Sequence, residues 1–170
     1  MKTEDIDECT HGIHECLNES ANCLNTVGSY NCVCKDGYQG DGKTICTPEE
    51  CISYSLLTSG TRKTTYDTPQ GRESCDNDLS ADWFRFKGDA GTKMPTKCVP
   101  YKKCGTDSTG WLDGYHPTVA DGKVSRTVCF RGHTDCCKHP VYIKVRNCGS
   151  FYVYQLTPRT SCNQRYCGTD

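Results

Sequence analysis

Three carboxylates stand within four residues near the amino terminus: Asp5, Asp7 and Glu8 immediately precede Cys9. Without a partner these side chains repel one another, so the run is either a solvated acidic face or a site that holds a cation. Ca²⁺ prefers six to eight hard oxygen ligands, which carboxylates and backbone carbonyls supply. The residue types therefore raise a calcium site as a hypothesis, with the solvated face as its alternative.

Cysteine content determines which kind of scaffold can position these acids. The chain has 170 residues and 16 cysteines, with 35% hydrophobic residues when the cysteines are counted. Such a content is typical of disulfide scaffolds, which persist only in an oxidising compartment. Because apolar residues are few, the cores must be small and need covalent staples. We therefore expect a secreted, extracellular protein with eight intrachain disulfides and no free thiol.

Charge and hydropathy exclude two classes of partner. The formal net charge is −1, so the chain lacks the basic footprint that nucleic-acid binding requires. No apolar run reaches the length of a transmembrane helix. The first three residues are followed by acidic residues rather than by the apolar region of a signal peptide. We expect a segment of a longer secreted or cell-surface chain, with no membrane insertion of its own and with membrane anchoring of the parent left open.

The cysteines fall into two blocks of even number, so each block can close on itself. A linker of four residues, 47–50, separates the blocks and is too short for a flexible tether. We therefore predict one domain at 1–46, a short linker at 47–50 and a second domain at 51–170. The first block holds Cys9, Cys16, Cys23, Cys32, Cys34 and Cys46; the second holds Cys51, Cys75, Cys98, Cys104, Cys129, Cys136, Cys137, Cys148, Cys162 and Cys167.

A single residue separates Cys32 from Cys34, and the Gly-rich stretch DGYQGDG follows. Together with CLNTVGSYNCVC, this spacing resembles the epidermal-growth-factor-like (EGF-like) module over residues 5–46. Six cysteines allow about fifteen pairings, and the spacing alone leaves them open. The resemblance implies the pairs Cys9–Cys23, Cys16–Cys32 and Cys34–Cys46.

The acidic run has a place in this resemblance. The calcium-binding subtype carries acid-x-acid-acid before the first cysteine, then Asn or Asp and an aromatic residue after the third, here Asn25 and Tyr30. The resemblance implies one structural Ca²⁺, with Asp7 between ligands and tuning the charge. The implied side-chain ligands are Asp5, Glu8 and Asn25, and the implied carbonyl ligands are Ile6, Thr26 and Ser29.

Residues typical of β-strands, with alternation of apolar and polar side chains, dominate the second block. Residues 83–86 and 124–130 are predicted strands, and residues 141–146 have the clearest alternation. Residues 151–156 follow after the turn sequence NCGS, which predicts an antiparallel hairpin. Helical periodicity is weak. The predicted fold is small and disulfide-rich: an EGF-like β-hairpin module plus a β-rich, disulfide-stapled domain.

The segments WFRFKGDAGTKM, CVP, WLDGYHP, VSR, an adjacent CC pair and FYVYQL follow one another in the second block. Their order resembles the uromodulin-like eight-cysteine domain of zona-pellucida-type glycoproteins, in its ten-cysteine form, from about Cys51 to Cys167. The resemblance implies an extracellular interaction module and leaves the pairing unassigned. Cys136 and Cys137 are expected to have different partners, because a bridge between neighbours strains the peptide between them.

Two positions of the sequence determine where an N-linked glycan could be attached. In vertebrate relatives the WL-x-G-x-HP stretch holds an Asn sequon whose glycan can be offered to bacterial fimbrial lectins as a decoy. Asp113 stands at that position here, so the decoy mechanism is not expected at this loop. Asn18-Glu19-Ser20 is an N-glycosylation acceptor, which makes Asn18 the candidate glycan site.

The histidines and aspartates are the residues that could support enzymatic chemistry or a further metal site. None of the five histidines lies in a nucleophile elbow or an HExxH sequence. His116 is interpreted as a turn residue. HTDCCKH offers zinc ligands, but its sulfurs are expected to form disulfides. Asp76, Asp78 and Asp82 lack the Gly and the terminal Glu of an EF-hand loop and are interpreted as solvated loop acids.

The aromatic residues do not determine whether the ligand is a sugar or a protein. Exposed aromatic side chains are typical of sugar or protein contacts, but in a small β domain most of them pack into the core. We predict a non-enzymatic extracellular adhesion or recognition fragment whose partner is a protein or glycan ligand, microbial ligands included. The alternative is a glycan-binding lectin of innate defence or of symbiont or microbe recognition. The residues in question are Tyr115, Tyr142, Tyr152, Tyr154, Trp83 and Trp111.

Overall fold

The computed structural model describes residues 5–170. Residues 1–4, with the part of the predicted 1–46 domain that they form, lie outside the described residues. The chain divides into two compact units, the first ending at Ile52 and the second spanning Ser53–Asp170. Within residues 5–170, no helix has the length and apolar character needed to cross a bilayer.

The first unit begins with a single helical turn, α1, at Glu8–His11. Asp7 caps it, because its carboxylate accepts a hydrogen bond from the backbone N–H of Thr10 at 3.0 Å. Gly12 ends the turn in the left-handed conformation, which glycine adopts at low cost. The acidic run is therefore split between an extended segment and a capped helical turn.

A β-hairpin forms the body of the first unit. Strand β1, Ala21–Thr26, pairs antiparallel with β2, Ser29–Cys34. Gly28 has φ +78° in the two-residue turn, a conformation that a hairpin turn of this length favours. Strands β3, Tyr38–Gly40, and β4, Cys46–Pro48, form a second small antiparallel sheet, which a 3-10 turn at Glu49–Cys51 follows.

Disulfides replace a hydrophobic core in this unit. Among its described residues, the buried apolar side chains are those of Cys16 and Ala21. A unit with so little apolar burial depends on covalent links. Gly42 packs so close to the backbone of Cys32 that an added Cβ would lie 2.6 Å from its carbonyl carbon. The bridges are Cys9–Cys23, Cys16–Cys32 and Cys34–Cys46.

The second unit contains a seven-stranded sheet in the order β11-β7-β8-β9-β10-β6-β5. Neighbouring strands are antiparallel except for the two outer pairs, β11 with β7 and β5 with β6, which are parallel. Two 3-10 turns, at Gly60–Arg62 and Gly88–Ala90, lie in the connections between strands. The strands are β5 Ser55–Leu57, β6 Asp82–Phe86, β7 Ser108–Asp113, β8 Lys123–Phe130, β9 His139–Asn147, β10 Tyr152–Leu156 and β11 Gln164–Tyr166.

Alternation along the strands builds the core of this unit. In β9, Ile143 and Val145 are buried while Tyr142 and Lys144 beside and between them are exposed. The predicted strands at 83–86 and 124–130 and the antiparallel hairpin of β9 with β10 are confirmed. The fold class is confirmed as well: the protein is small, β-rich and disulfide-stapled. The largest fully buried side chains are Tyr154, Tyr166, Phe86, Phe130, Met94 and Leu112.

All sixteen cysteines are disulfide-bonded, so the prediction of no free thiol is confirmed. Cys136 bonds to Cys98 and Cys137 to Cys129, so the adjacent pair has different partners, as expected. The second unit also contains Cys75–Cys162 and Cys104–Cys167. Cys51 and Cys148 are disulfide-bonded too.

The interpretation of Asp76 as a solvated acid is wrong. Its side chain is fully buried and makes a two-pronged ion pair with Arg62. The backbone N–H of Tyr166 donates a further hydrogen bond to the same carboxylate at 2.8 Å. Asp78 and Asp82 are exposed, in agreement with the prediction. Burial of Asp76 is possible because its charge is both paired and hydrogen-bonded.

Candidate calcium site and exposed side chains

Asp5 is held against the turn of the β1–β2 hairpin. The side-chain amide of Asn25 donates to Oδ2 of Asp5 at 2.8 Å, and the backbone N–H of Gly28 donates to Oδ1 at 2.6 Å. These bonds favour the charged form, so they lower the pKa of Asp5 below its ordinary value, the Gly28 bond contributing most. The acidic segment and Asn25 therefore lie beside each other although twenty residues separate them.

One carboxylate oxygen of Glu8 has no hydrogen-bond partner among residues 5–170. Its Oε2 atom is shielded from solvent and accepts no hydrogen bond from the described residues. Glu8 lies in α1, which packs against β1 and β2, and the next residue, Cys9, is bonded to Cys23 of β1. A shielded anionic oxygen is costly unless a positive group compensates it.

The other predicted ligand residues belong to the hairpin turn or the extended segment. Thr26 and Ser29 face each other as the last pair of the hairpin, and the Thr26 hydroxyl donates to the Ser29 carbonyl at 2.8 Å. Ile6 is exposed. Asp7 caps α1 with its carboxylate, a structural task that suits its position outside the predicted ligand set.

The oxygen atoms of the proposed ligand residues are of the types that a hard cation binds. Carboxylates, an amide and backbone carbonyls are the oxygen ligands that Ca²⁺ takes. The Asn25 amide points its nitrogen at Asp5, so joint coordination requires the amide to turn and present its oxygen. The orphaned oxygen of Glu8 indicates where positive charge is needed. The residues present therefore fit calcium, which would supply the positive charge that the acidic run lacks.

Two other groups with metal-binding side chains have their cysteine sulfurs engaged in disulfides. His14, Cys16 and Cys23 place their ligand atoms within 4.8 Å of one another, but both sulfurs are in disulfides. In the HTDCCKH segment both cysteines are bridged as well. Bridged sulfurs lack the thiolate that binds zinc, so neither group suits zinc in the oxidised protein.

The exposed surface offers one sequon and two prominent aromatic rings. Asn18 is exposed in a turn, where the Lys35 ammonium contacts the carbonyls of Asn18 and Glu19. Tyr115 and Tyr142 are 88% and 79% exposed, the two highest values among the described tyrosines. The remaining aromatic residues of the predicted set are buried or partly buried: Tyr152, Tyr154, Trp83 and Trp111.

His116 is more than a turn residue. It lies in the irregular segment after β7, yet its Nε2 atom is 2.8 Å from the hydroxyl of buried Tyr154 and its ring packs on Tyr152. Burial, the main cause, lowers the pKa of His116 to about 4, and the charges of Lys93 and Arg126 act in the same direction. No local sequence pattern indicates these contacts, because the tyrosine partners are more than thirty residues away along the chain.

Comparison with known proteins assigns both units to families. The calcium-binding EGF domain family matches residues 5–53, and the family of the uromodulin-like eight-cysteine domain matches residues 84–168. Uromodulin of Mus musculus is 37% identical over 232 aligned positions, which cover 96% of this chain and 35% of that protein. Uromodulin of Rattus norvegicus is 38% identical with the same coverage.

A second group of relatives agrees. The pancreatic secretory granule membrane major glycoprotein GP2 of Canis lupus familiaris is 38% identical over 150 positions, covering 86% of this chain and 28% of that protein. The chain thus spans about a third of the length of the curated relatives it matches. A calcium-binding EGF domain followed by the eight-cysteine domain, on a fully disulfide-bonded chain, is an extracellular arrangement. The protein belongs to the family of uromodulin-like glycoproteins that carry the eight-cysteine domain.

Proposed function

We propose that the chain is a non-enzymatic extracellular adhesion or recognition segment of a larger glycoprotein and that its first unit binds one structural Ca²⁺. The proposed side-chain ligands are Asp5, Glu8 and Asn25. The proposed carbonyl ligands are Ile6, Thr26 and Ser29.

The observation that carries the calcium site is the placement of Asp5 on the hairpin turn together with the unpartnered oxygen of Glu8. Bonds to Asn25 and Gly28 bring the acidic segment to the strands that hold the other proposed ligands. The match to the calcium-binding EGF family supports the same site. Extracellular modules bind calcium at about 10⁻⁴–10⁻³ M, so the site is expected to be filled under extracellular conditions and to act as a structural brace.

The absence of catalysis is part of the proposal. His116 bonds to a core tyrosine rather than to a nucleophile, and His133 packs against Tyr101. The relation to uromodulin and to a granule membrane glycoprotein favours recognition over enzymatic activity. We propose a protein or glycan partner, microbial partners included, and a glycan on Asn18.

The calcium site is tested by isothermal titration with CaCl₂ after removal of divalent ions. We expect saturable binding of one ion by the wild-type chain and at least a tenfold loss of affinity in Glu8→Gln and in Asn25→Ala. Glu15→Gln and Asn22→Ala are matched controls, because both residues are exposed in the same unit and outside the proposed ligand set. They should bind as the wild type does. Absence of calcium binding at millimolar concentration, with the disulfides intact, would contradict the site.

A further inference from the structure

We propose that the second unit binds an acidic saccharide in a cavity of about 510 Å³ beside Tyr115. The inference rests on the proposed recognition function and adds a ligand class and a location to it. The volume lies in the range of cavities that hold small ligands, which is about 300–1,000 Å³.

The cavity has two main lining segments that the fold holds in place, and Thr64, Thr169 and Asp170 complete the lining. One segment is residues 93–100, between the Gly88–Ala90 turn and β7, and the other contains Tyr115 and His116 after β7. Met94 donates its backbone N–H to the Tyr154 hydroxyl at 3.0 Å, and that hydroxyl is also bonded to His116. The same buried tyrosine thus anchors both segments, so the cavity is preformed and a ligand need not order it.

Further bonds fix the walls. Cys98, which lines the cavity, is bridged to Cys136, and Val99 beside it is buried. Lys93 and Thr169 exchange two backbone hydrogen bonds at 2.8 and 3.1 Å, which close another side. Rigid walls lower the entropy cost of binding.

The charge at the cavity favours an anion. Lys93 and Lys97 line it, and neither ammonium is in an ion pair with a described residue. Among the described lining residues the carboxylate side chain is that of Asp170, which is paired with Lys63. The positive charge of Lys93 also acts on His116, whose pKa it helps to lower. A carboxylate or a sulfate group would be held by the two lysines.

Tyr115 gives the cavity a flat apolar surface at its rim. Its ring is exposed, and its backbone carbonyl accepts a hydrogen bond from Arg126 Nε at 3.0 Å, which fixes the loop. A tyrosine ring with a polar tip suits the mixed apolar and hydroxyl surface of a sugar ring. Thr96 and Thr169 add hydroxyl groups to the lining.

Shape favours a saccharide over an acidic peptide. Extended peptides usually bind along an exposed strand edge or a long groove. The edge strands of the sheet, β5 and β11, do not line this cavity, which is a compact concavity with one aromatic surface and a pair of cations. We therefore assign the ligand as a sugar that carries a carboxylate, as in a sialic or uronic acid, or a sulfate.

The test measures binding of matched acidic and neutral sugars to the whole chain. The probes are sialyllactose with lactose, a glucuronate-containing disaccharide with its neutral glucose counterpart, a sulfated lactosamine with its unsulfated form, and a polyglutamate peptide. We expect saturable binding of a carboxylated or a sulfated sugar, at least tenfold weaker binding of the neutral partner, and weaker binding at high salt. Which acidic probe binds identifies the anionic group.

Variants locate the site. Tyr115→Ala and the double variant Lys93→Gln/Lys97→Gln should each weaken binding roughly tenfold. Tyr142→Ala and Lys87→Gln are the controls, because they remove an exposed tyrosine and an exposed lysine that do not line the cavity, and they should change nothing. Near-ultraviolet circular dichroism checks that each variant is folded.

Three results would overturn the assignment: no saturable sugar binding at millimolar concentration, sugar binding that survives both variants, or tighter binding of polyglutamate than of any sugar. The last result would identify an acidic-peptide surface. Calcium titration of the same sample keeps the two proposals apart. Normal calcium binding without sugar binding removes only the saccharide site, and the reverse removes only the calcium site.

Discussion

Asp76 carries a negative charge in the interior of the second unit, and Arg62 balances it with both terminal nitrogens. Only 9% of the Arg62 side chain and none of the Asp76 carboxylate is exposed. The pair joins the turn at residues 60–62 to β11 through the backbone of Tyr166. Removing one partner leaves a buried charge without compensation, whereas removing both does not.

Asp76→Ala is therefore expected to lower the free energy of unfolding by about 3–5 kcal/mol. The double variant Arg62→Met/Asp76→Leu should cost clearly less, since no unpaired charge remains. Guanidinium denaturation of the disulfide-intact chain measures both. Asp78→Ala, an exposed neighbour, is the control and should change stability by less than about 0.5 kcal/mol. Equal losses in Asp76→Ala and Asp78→Ala would show that the pair has no such role.

The sequence predicts that Asp5 and Asn25 lie close together, but it does not predict the buried partners of Asp76. The acidic run and Asn25 flank cysteines in a spacing that identifies a module, and that module brings them together. Asp76 follows a cysteine too, but its partners Arg62 and Tyr166 come from segments 14 and 90 residues away. The residues around Asp76 are polar and do not indicate a partner so distant in sequence. The sequence therefore predicts a solvated carboxylate.

The loop after β7 is bound to β10 of the sheet through the imidazole of His116, in addition to hydrogen bonds from β8 and β9 to the carbonyls of Tyr115 and Pro117. His116 reaches the hydroxyl of Tyr154 in β10 and packs on Tyr152 of the same strand. The Tyr154 hydroxyl accepts from the backbone of Met94, so its own proton is available for His116 Nε2. This arrangement requires neutral histidine.

Acidification should therefore loosen this loop. The folded pKa of His116 is about 4, below the ordinary value of 6.5. The neutral ring contributes its full stability above about pH 6.5, and that contribution is lost as pH falls towards 4. Because the ring is only partly buried, we expect a loss of about 1–2 kcal/mol rather than the full linkage value.

Thermal unfolding of the second unit between pH 7 and pH 4 measures this effect. His116→Gln should have a shallower decline of melting temperature than the wild type, since glutamine does not titrate. His139→Gln, which changes an exposed histidine of β9, should decline as the wild type does. Identical slopes for all three proteins would refute the proposed role of His116.

The strands and turns that depend on neighbouring residues in the sequence could be predicted. The alternation in β9 and the glycine turn before β10 depend on neighbouring residues, so the hairpin follows from the sequence. The parallel pairing of β11 with β7 joins distant segments of three and six residues, which have no pattern of their own to indicate it. The bridges within the second unit were open for the same reason, because spacing leaves many pairings of ten cysteines.

At the scale of the whole molecule, calcium is expected to stabilise the first unit and not the second, because each unit is compact by itself. At a calcium concentration ten times Kd the gain is roughly 1.4 kcal/mol. Chelation should therefore speed proteolysis within residues 5–30 and leave the fragment pattern of residues 53–170 unchanged. Mass spectrometry of timed digests measures both. Glu8→Gln should be cut quickly with or without chelator, and an equal response of both units to chelation would argue against a local brace.

The bridge between Cys75 and Cys162 spans 87 residues of sequence and encloses β6 to β10. A pull on the chain before Cys75 and after Cys162 is transmitted across this sulfur–sulfur bond, so the covalent path that bears the load bypasses the backbone between the two cysteines. The second unit therefore cannot be drawn out to the contour length of its chain while the bridge is intact. Residues 93–100 and Tyr115 of the cavity lie within that stretch, so a pull on the chain reaches them through their contacts with residues outside it, such as the backbone hydrogen bonds between Lys93 and Thr169.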